Sequence, residues 1–188
     1  MQFGRTNVNK FLIEEQRRNP ALAGDFSMLI SDVVRSCKAI SQVISRGALA
    51  GLADDPWSPN PHDEDPASPT HLANQAFLNH CAWGGHLTAL TSSETPDIVP
   101  IPNEGVRGRY LLVFDPLDGA PNLDVHVTVG SIFSILVYRT DIDEPTAADF
   151  LQPGSRQLAA GYALYGPSTM LVMTVGNGTH GFTLDEQG

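Results

Sequence analysis

The sequence predicts an α+β domain, with helices first and an antiparallel-rich sheet after them. Three observations carry this reading. Leu29, Val33, Cys37, Ile40 and Ile44 recur at helical spacing and give one apolar stripe. Tyr110 to Phe114 is an unbroken bulky apolar run, the signature of a buried strand. Downstream, Gln157 to Tyr165 and Thr169 to Val175 are apolar strands parted by Gly166-Pro-Ser168.

Within residues 1–24, read as an N-terminal arm, Glu14 to Arg18 suggests a short solvated helix or a mobile segment. Asp25 is a candidate N-cap for the striped helix, and Gly47 suits its end. Residues 53–70 hold five prolines and five acids, which no regular element accommodates. A connection of that length is usually functional or disordered. A second helix runs from His71 to Trp83 and is broken by Gly84-Gly85. His86 to Leu90 reads as a short strand, and Pro96 to Gly108 as a turn-rich connection.

The central strand stops at Asp115-Pro116-Leu117-Asp118-Gly119. Val125, Val127 and Val129 then alternate with His126 and Thr128, which predicts that the next strand begins there and continues to Tyr138. Residues 139–145 form a polar excursion and 149–154 a turn. Gly176-Asn-Gly178 is a hairpin signal, with His180 to Leu184 as its return strand. No internal repeat is present.

With 188 residues, 41% of them apolar, the chain can build one domain with a real core. A formal charge of −10 disfavours a nucleic-acid partner, because phosphate backbones are held by clustered Lys and Arg. Cys37 and Cys81 are too few for a disulfide framework, which fits a reducing cytoplasm. No apolar run approaches a membrane span, and the start lacks a signal-peptide core. A cytoplasmic protein without a membrane partner is the expectation.

Asp115 and Asp118 carry the chemistry. Carboxylates three residues apart at the end of a buried strand need a compensating cation if they are drawn from water. Hard divalent ions accept such oxygens and complete their shell with substrate phosphate. A plain polar turn is the alternative, since Asp, Pro and Gly all favour turns. His71, His80 and His86 show no ligand spacing of their own.

Taken together, Asp115-Pro-Leu-Asp-Gly, Asn122-Leu-Asp-Val and Val129-Gly-Ser-Ile-Phe-Ser-Ile135 resemble the metal-site segment of class I fructose-1,6-bisphosphatases. Trp83-Gly-Gly-His-Leu87, Phe150-Leu-Gln-Pro-Gly154 and Ala159 to Met170 extend the resemblance, so that residues from about Phe26 onward are similar to that family's N-terminal part. The resemblance implies helices on a mixed, largely antiparallel sheet over residues 25–188. It also implies a second domain absent from this chain, whether the chain is a fragment or short by nature. The implied activity is hydrolysis of the 1-phosphate of fructose 1,6-bisphosphate, in gluconeogenesis or a carbon-fixation cycle. A homo-oligomer, a tetramer in the family, is implied as well, and the N-terminal helix can contribute subunit contacts and an AMP-regulatory site.

Residue by residue, the resemblance assigns Asp115, Asp118 and the Leu117 carbonyl to Mg²⁺, with two or more ions per site. Glu94 or Ser93 stands at the second metal segment, and Asp115, Asp118 and Glu94 form the catalytic set. Asp118, Gly119, Ala120 and Pro121 lie against the substrate phosphate. Departures are plain. Ser93 stands where the family's first glutamate belongs. Ala120 and Pro121 replace two serines, so two hydroxyls and a backbone N–H are lost. The family's loop Asp has no counterpart in Ser68-Pro-Thr-His-Leu72, although Asp63, Glu64 and Asp65 lie close by. These departures keep a second reading open, a truncated or degenerate relative acting as a binding or assembly partner. An inositol-phosphatase-like enzyme is a third, disfavoured by Val129 to Phe133 and Tyr165 to Thr169.

Overall fold

A computed structural model of the chain describes residues 6–22, 24–47, 68–102, 108–139 and 144–185. The helices α1 (Val8–Arg18), α2 (Asp25–Arg46) and α3 (Pro69–Cys81) precede most of a seven-stranded sheet. Its strands are β1 (Leu87–Ser92), β2 (Val99–Pro100), β3 (Tyr110–Asp118), β4 (Val129–Val137), β5 (Ala159–Tyr165), β6 (Thr169–Thr174) and β7 (His180–Thr183). The order across the sheet is β2-β1-β3-β4-β5-β6-β7. Only β1 and β3 run parallel. The fold is therefore the α+β arrangement that the sequence predicts.

Several local expectations are corrected. The α2 N-cap is Gly24, and Asp25 instead occupies the first turn, where a carboxylate suits the positive end of the helix dipole. α1 is packed rather than solvated: Phe11 and Leu12 are buried, and the Phe11 ring lies 4.5 Å from His180 and 5.4 Å from Phe182. α3 begins at Pro69 and ends at Cys81, with the Ser68 side chain accepting from the His71 N–H. The connection after β1 contains β2, a two-residue strand too short for its alternation to be visible. Residues Ala147–Phe150, read as part of a turn, form the one-turn helix α4, closed by a Thr146–Asp149 capping box.

The two sheet faces have different fates. Toward the helices point Tyr110, Leu112, Phe114, Phe133, Ile135, Ala163, Tyr165 and Met173, all buried. The Phe77 ring of α3 stacks on Phe114 at 4.6 Å, and Phe26 of α2 meets Tyr110 edge-on at 6.1 Å. On the opposite face a small cluster of Ala89, Leu111, Leu136 and Tyr138 is covered by Phe150. Beyond it the face lies open, with Ile132 at 49%, Tyr162 at 42% and Leu164 at 39% exposure. Among the described residues, no helix is long and apolar enough to cross a membrane.

Two substitutions separate these faces energetically. Phe77→Ala should destabilise the fold by about 3–5 kcal/mol, because it removes a fully buried ring. Ile132→Thr on the open face should cost about 1 kcal/mol or less. Urea denaturation of both variants measures the contrast.

Candidate active site

The acidic turn is built by an irregularity in the β3–β4 ladder. Asp115 pairs with Ile132 and Asp118 with Gly130, so three steps along β3 match two along β4. This is a β-bulge. In a regular strand, residues three apart point to opposite faces. The extra residue cancels that alternation. Directly paired antiparallel residues share a face, and Gly130 and Ile132 lie two apart, so Asp115 and Asp118 both project from the open face. Leu117 turns the other way, into the helix-side core.

Local hydrogen bonds close the turn. The Leu117 N–H donates to Asp115 Oδ1 at 3.2 Å. Gly119 sits at φ 78°, a left-handed conformation that a side chain would strain, and starts a 3₁₀ turn over Ala120–Val125. The Asn122 N–H returns to the Gly119 carbonyl at 2.8 Å. Pro121 lies in the first turn, where a missing N–H leaves no helical bond unmade. The turn ends at His126, φ 56°. The strand read from Val125 is therefore corrected: Val125 and Val127 are exposed loop residues, and β4 starts at Val129. Their alternation with His126 and Thr128 mimics a strand, but His126's left-handed backbone is incompatible with one.

Ser93 and Glu94 reach the same neighbourhood through the parallel β1–β3 pairing. Ser92 pairs with Phe114, and the Ser93 N–H donates to the Phe114 carbonyl at 3.1 Å, which sets this turn beside Asp115. Both side chains are exposed, and Ser93 Oγ donates to Glu94 Oε1 at 3.3 Å. Two residues that sequence reasoning missed fix the turn. Buried Ser92 donates to Asn74 Oδ1 of α3 at 2.8 Å and accepts from the Glu94 N–H at 3.2 Å. The sequence gives no advance signal, because Asn74 stands beside Gln75 in a helix that also carries Asn79.

A groove of about 720 Å³ runs across the open face from this corner. Ser93 and Asp115 lie at one end, and Val113, Ile132, Tyr162 and Val172 line its length. Asp118, Gly119, Ala120, Pro121 and Glu94 stand outside its lining. Among the described residues, no three His, Cys, Asp or Glu side chains converge as a ready metal cage. The donors are carboxylates in a water-accessible turn, which fits a hard cation held by one or two side chains plus water and phosphate. Asp63, Glu64 and Asp65 fall outside the described residues. Of the histidines, His80 Nδ1 contacts Ser36 Oγ at 3.3 Å, and His86 Nδ1 lies 3.5 Å from Asp25.

Beneath the turn lies the buried helix-side core. Burial pushes the Cys37 thiol up to about 11, with a hydrogen bond to Tyr165 opposing the shift. It pushes Cys81 up to about 12, opposed mainly by a hydrogen bond to Ser36. Burial pushes the Tyr165 hydroxyl up as well.

The fold and the acidic turn together define an N-terminal domain of the sugar-phosphatase kind, and comparison with known proteins identifies which. The family model for the fructose-1,6-bisphosphatase N-terminal domain matches residues 6–188. A class 1 fructose-1,6-bisphosphatase of Methylibium petroleiphilum is 47% identical over 184 residues, covering 98% of this chain and 52% of its relative. The holo form of Leishmania major fructose-1,6-bisphosphatase superposes with TM-score 0.82 at 32% identity, over 97% of this chain and 56% of that one. The T-state of the same enzyme gives 0.77 at 31% identity, over 97% of this chain and 54% of that one. The chain belongs to the fructose-1,6-bisphosphatase family. It spans about half the length of the relatives it matches.

The buried thiols set an alkaline limit on stability. Their pKa values are raised from 9.0, so the folded state holds these protons where the unfolded state has released them. The stabilisation is complete below pH 9 and is lost as pH rises toward about 11 for Cys37 and about 12 for Cys81. Urea midpoints measured from pH 8 upward should fall from about pH 9, and the double variant Cys37→Ala, Cys81→Ala should flatten the fall.

Proposed function

We propose that this chain carries the cation-binding half of a phosphatase that removes the 1-phosphate of fructose 1,6-bisphosphate. The observation behind this reading is the bulge that aims Asp115 and Asp118 from one face. Two like charges on one face repel a phosphate unless a cation lies between. A divalent ion bound there would polarise the phosphoryl oxygens and lower the pKa of a bound water. The chain's own part is to hold the carboxylates in place, with Glu94 or Ser93 approaching from the neighbouring strand end. The Leu117 carbonyl is a further candidate ligand. Gly119 gives the backbone the left-handed step that starts the turn, and the backbone of Ala120 and Pro121 would lie against the phosphate.

Magnesium, with two or more ions per site, is the finer proposal, together with a cytoplasmic homotetramer acting in gluconeogenesis or a carbon-fixation cycle. The exposed Ile132, Tyr162 and Leu164 support a further element: the open face packs on additional polypeptide of the kind that makes the relatives about twice as long. Sugar contacts would come from that side, since the groove leads there from Asp115. A second reading, a non-catalytic relative used for binding or assembly, is favoured by Ser93, Ala120 and Pro121. A serine hydroxyl is a weak substitute for a carboxylate on a hard cation, and Pro121 offers phosphate no N–H.

Titration calorimetry with Mn²⁺ and a phosphate-release assay test the proposal together. The chain should bind Mn²⁺, and Asp115→Asn or Asp118→Asn should weaken binding by at least about tenfold, since even residues behind the ligands are worth that much. Hydrolysis by the unaltered chain should be trace, rising with Ser93→Glu and with Ala120→Ser, Pro121→Ser. Absence of Mn²⁺ binding, or turnover indifferent to Asp115→Asn, would remove the proposed site. Strong metal binding with no turnover in any variant would favour the non-catalytic reading.

A further inference from the structure

The bulge has a buried support that no site residue supplies. At a bulge one residue is left out of the ladder, and its backbone groups need other partners. The Pro116 carbonyl finds one in Ser131 Oγ, at 2.6 Å, on the strand opposite. Ser131 is fully buried, and its Oγ also lies 2.7 Å from the Tyr165 hydroxyl of β5. Tyr165 in turn meets the Cys37 thiol of α2. A carbonyl can only accept, and a serine hydroxyl has one proton to give. Ser131 must therefore donate to Pro116, and Tyr165 must donate to Ser131. The result is one line of donors from β5 through β4 to the acidic turn.

We infer that Ser131, backed by Tyr165, is a positioning residue that locks the bulge and so keeps Asp115 and Asp118 on one face. Neither side chain touches a ligand; both lie on the helix side of the sheet while the carboxylates project from the other. Their action passes through the carbonyl of Pro116, the residue that joins Asp115 to Leu117. Without Ser131 that carbonyl is buried and unpaired, a condition the backbone relieves by moving. The simplest relief is a slip of the bulge, which would send one carboxylate toward the opposite face. The inference rests on the cation-binding reading only for its effect on the ligand, not for its effect on the turn.

The experiment combines amide hydrogen exchange with Mn²⁺ titration followed by electron paramagnetic resonance, on the full chain and on Ser131→Ala, Ser131→Thr and Tyr165→Phe. In Ser131→Ala the Leu117 and Asp118 amides should exchange about tenfold faster relative to amides of β6, which separates local release from global loss of stability. Mn²⁺ affinity should fall by about tenfold, as for other residues that orient ligands from behind. Ser131→Thr should restore both, and Tyr165→Phe should shift both less, because the bond to Pro116 survives. Turn amides unchanged relative to β6 in Ser131→Ala overturn the inference; if that variant does not fold, unchanged turn amides in Tyr165→Phe do so. If the unaltered chain binds no Mn²⁺, the cation-binding reading fails, while the exchange result still decides whether Ser131 positions the turn.

Discussion

One extra residue in β3 governs which face of the sheet the acidic turn presents its carboxylates on. Strand geometry alone would place Asp115 and Asp118 on opposite sides of the sheet, one among the helices and one outside. The bulge between their pairing partners, Ile132 and Gly130, removes that half-turn. It also buries Leu117 as a plug on the helix side and leaves the Pro116 carbonyl to Ser131.

The corner is held from the helix side. Phe77 stacked on Phe114 ties α3 to the strand that carries the carboxylates. Asn74, from the same helix, holds Ser92 and through it the Ser93–Glu94 turn. Thus α3 supports both strand ends of the site, one by an aromatic contact and one by a buried polar pair. Among the described residues, nothing of that kind covers Ile132, Tyr162 and Leu164 on the far face.

Much of this was legible in the sequence. The α2 stripe and the apolar run of β3 depend on side-chain period and burial, which a sequence displays directly. Gly119 announced its left-handed turn. The bulge itself was not legible, because Asp-Pro-Leu-Asp-Gly fits an ordinary turn equally well, and register is a property of two strands. Val125 to Val129 misled for the opposite reason: the alternation was real, but the left-handed His126 breaks it, and β-branched residues occupy a loop. Asn74, Ser92 and the Ser131–Tyr165 pair were invisible because each matters only through a partner distant in the chain. Family resemblance supplied the assignment of Asp115 and Asp118, and pairing register supplied the reason they can act together.

The most direct test of this account is a crystal of the chain soaked in Mn²⁺, with anomalous diffraction collected at the manganese edge. The account requires an anomalous peak on the open face within ligand distance of both Asp115 and Asp118, lost in Asp118→Asn. A structure in which β3 pairs with β4 without the extra residue, its two carboxylates on opposite faces, would contradict it.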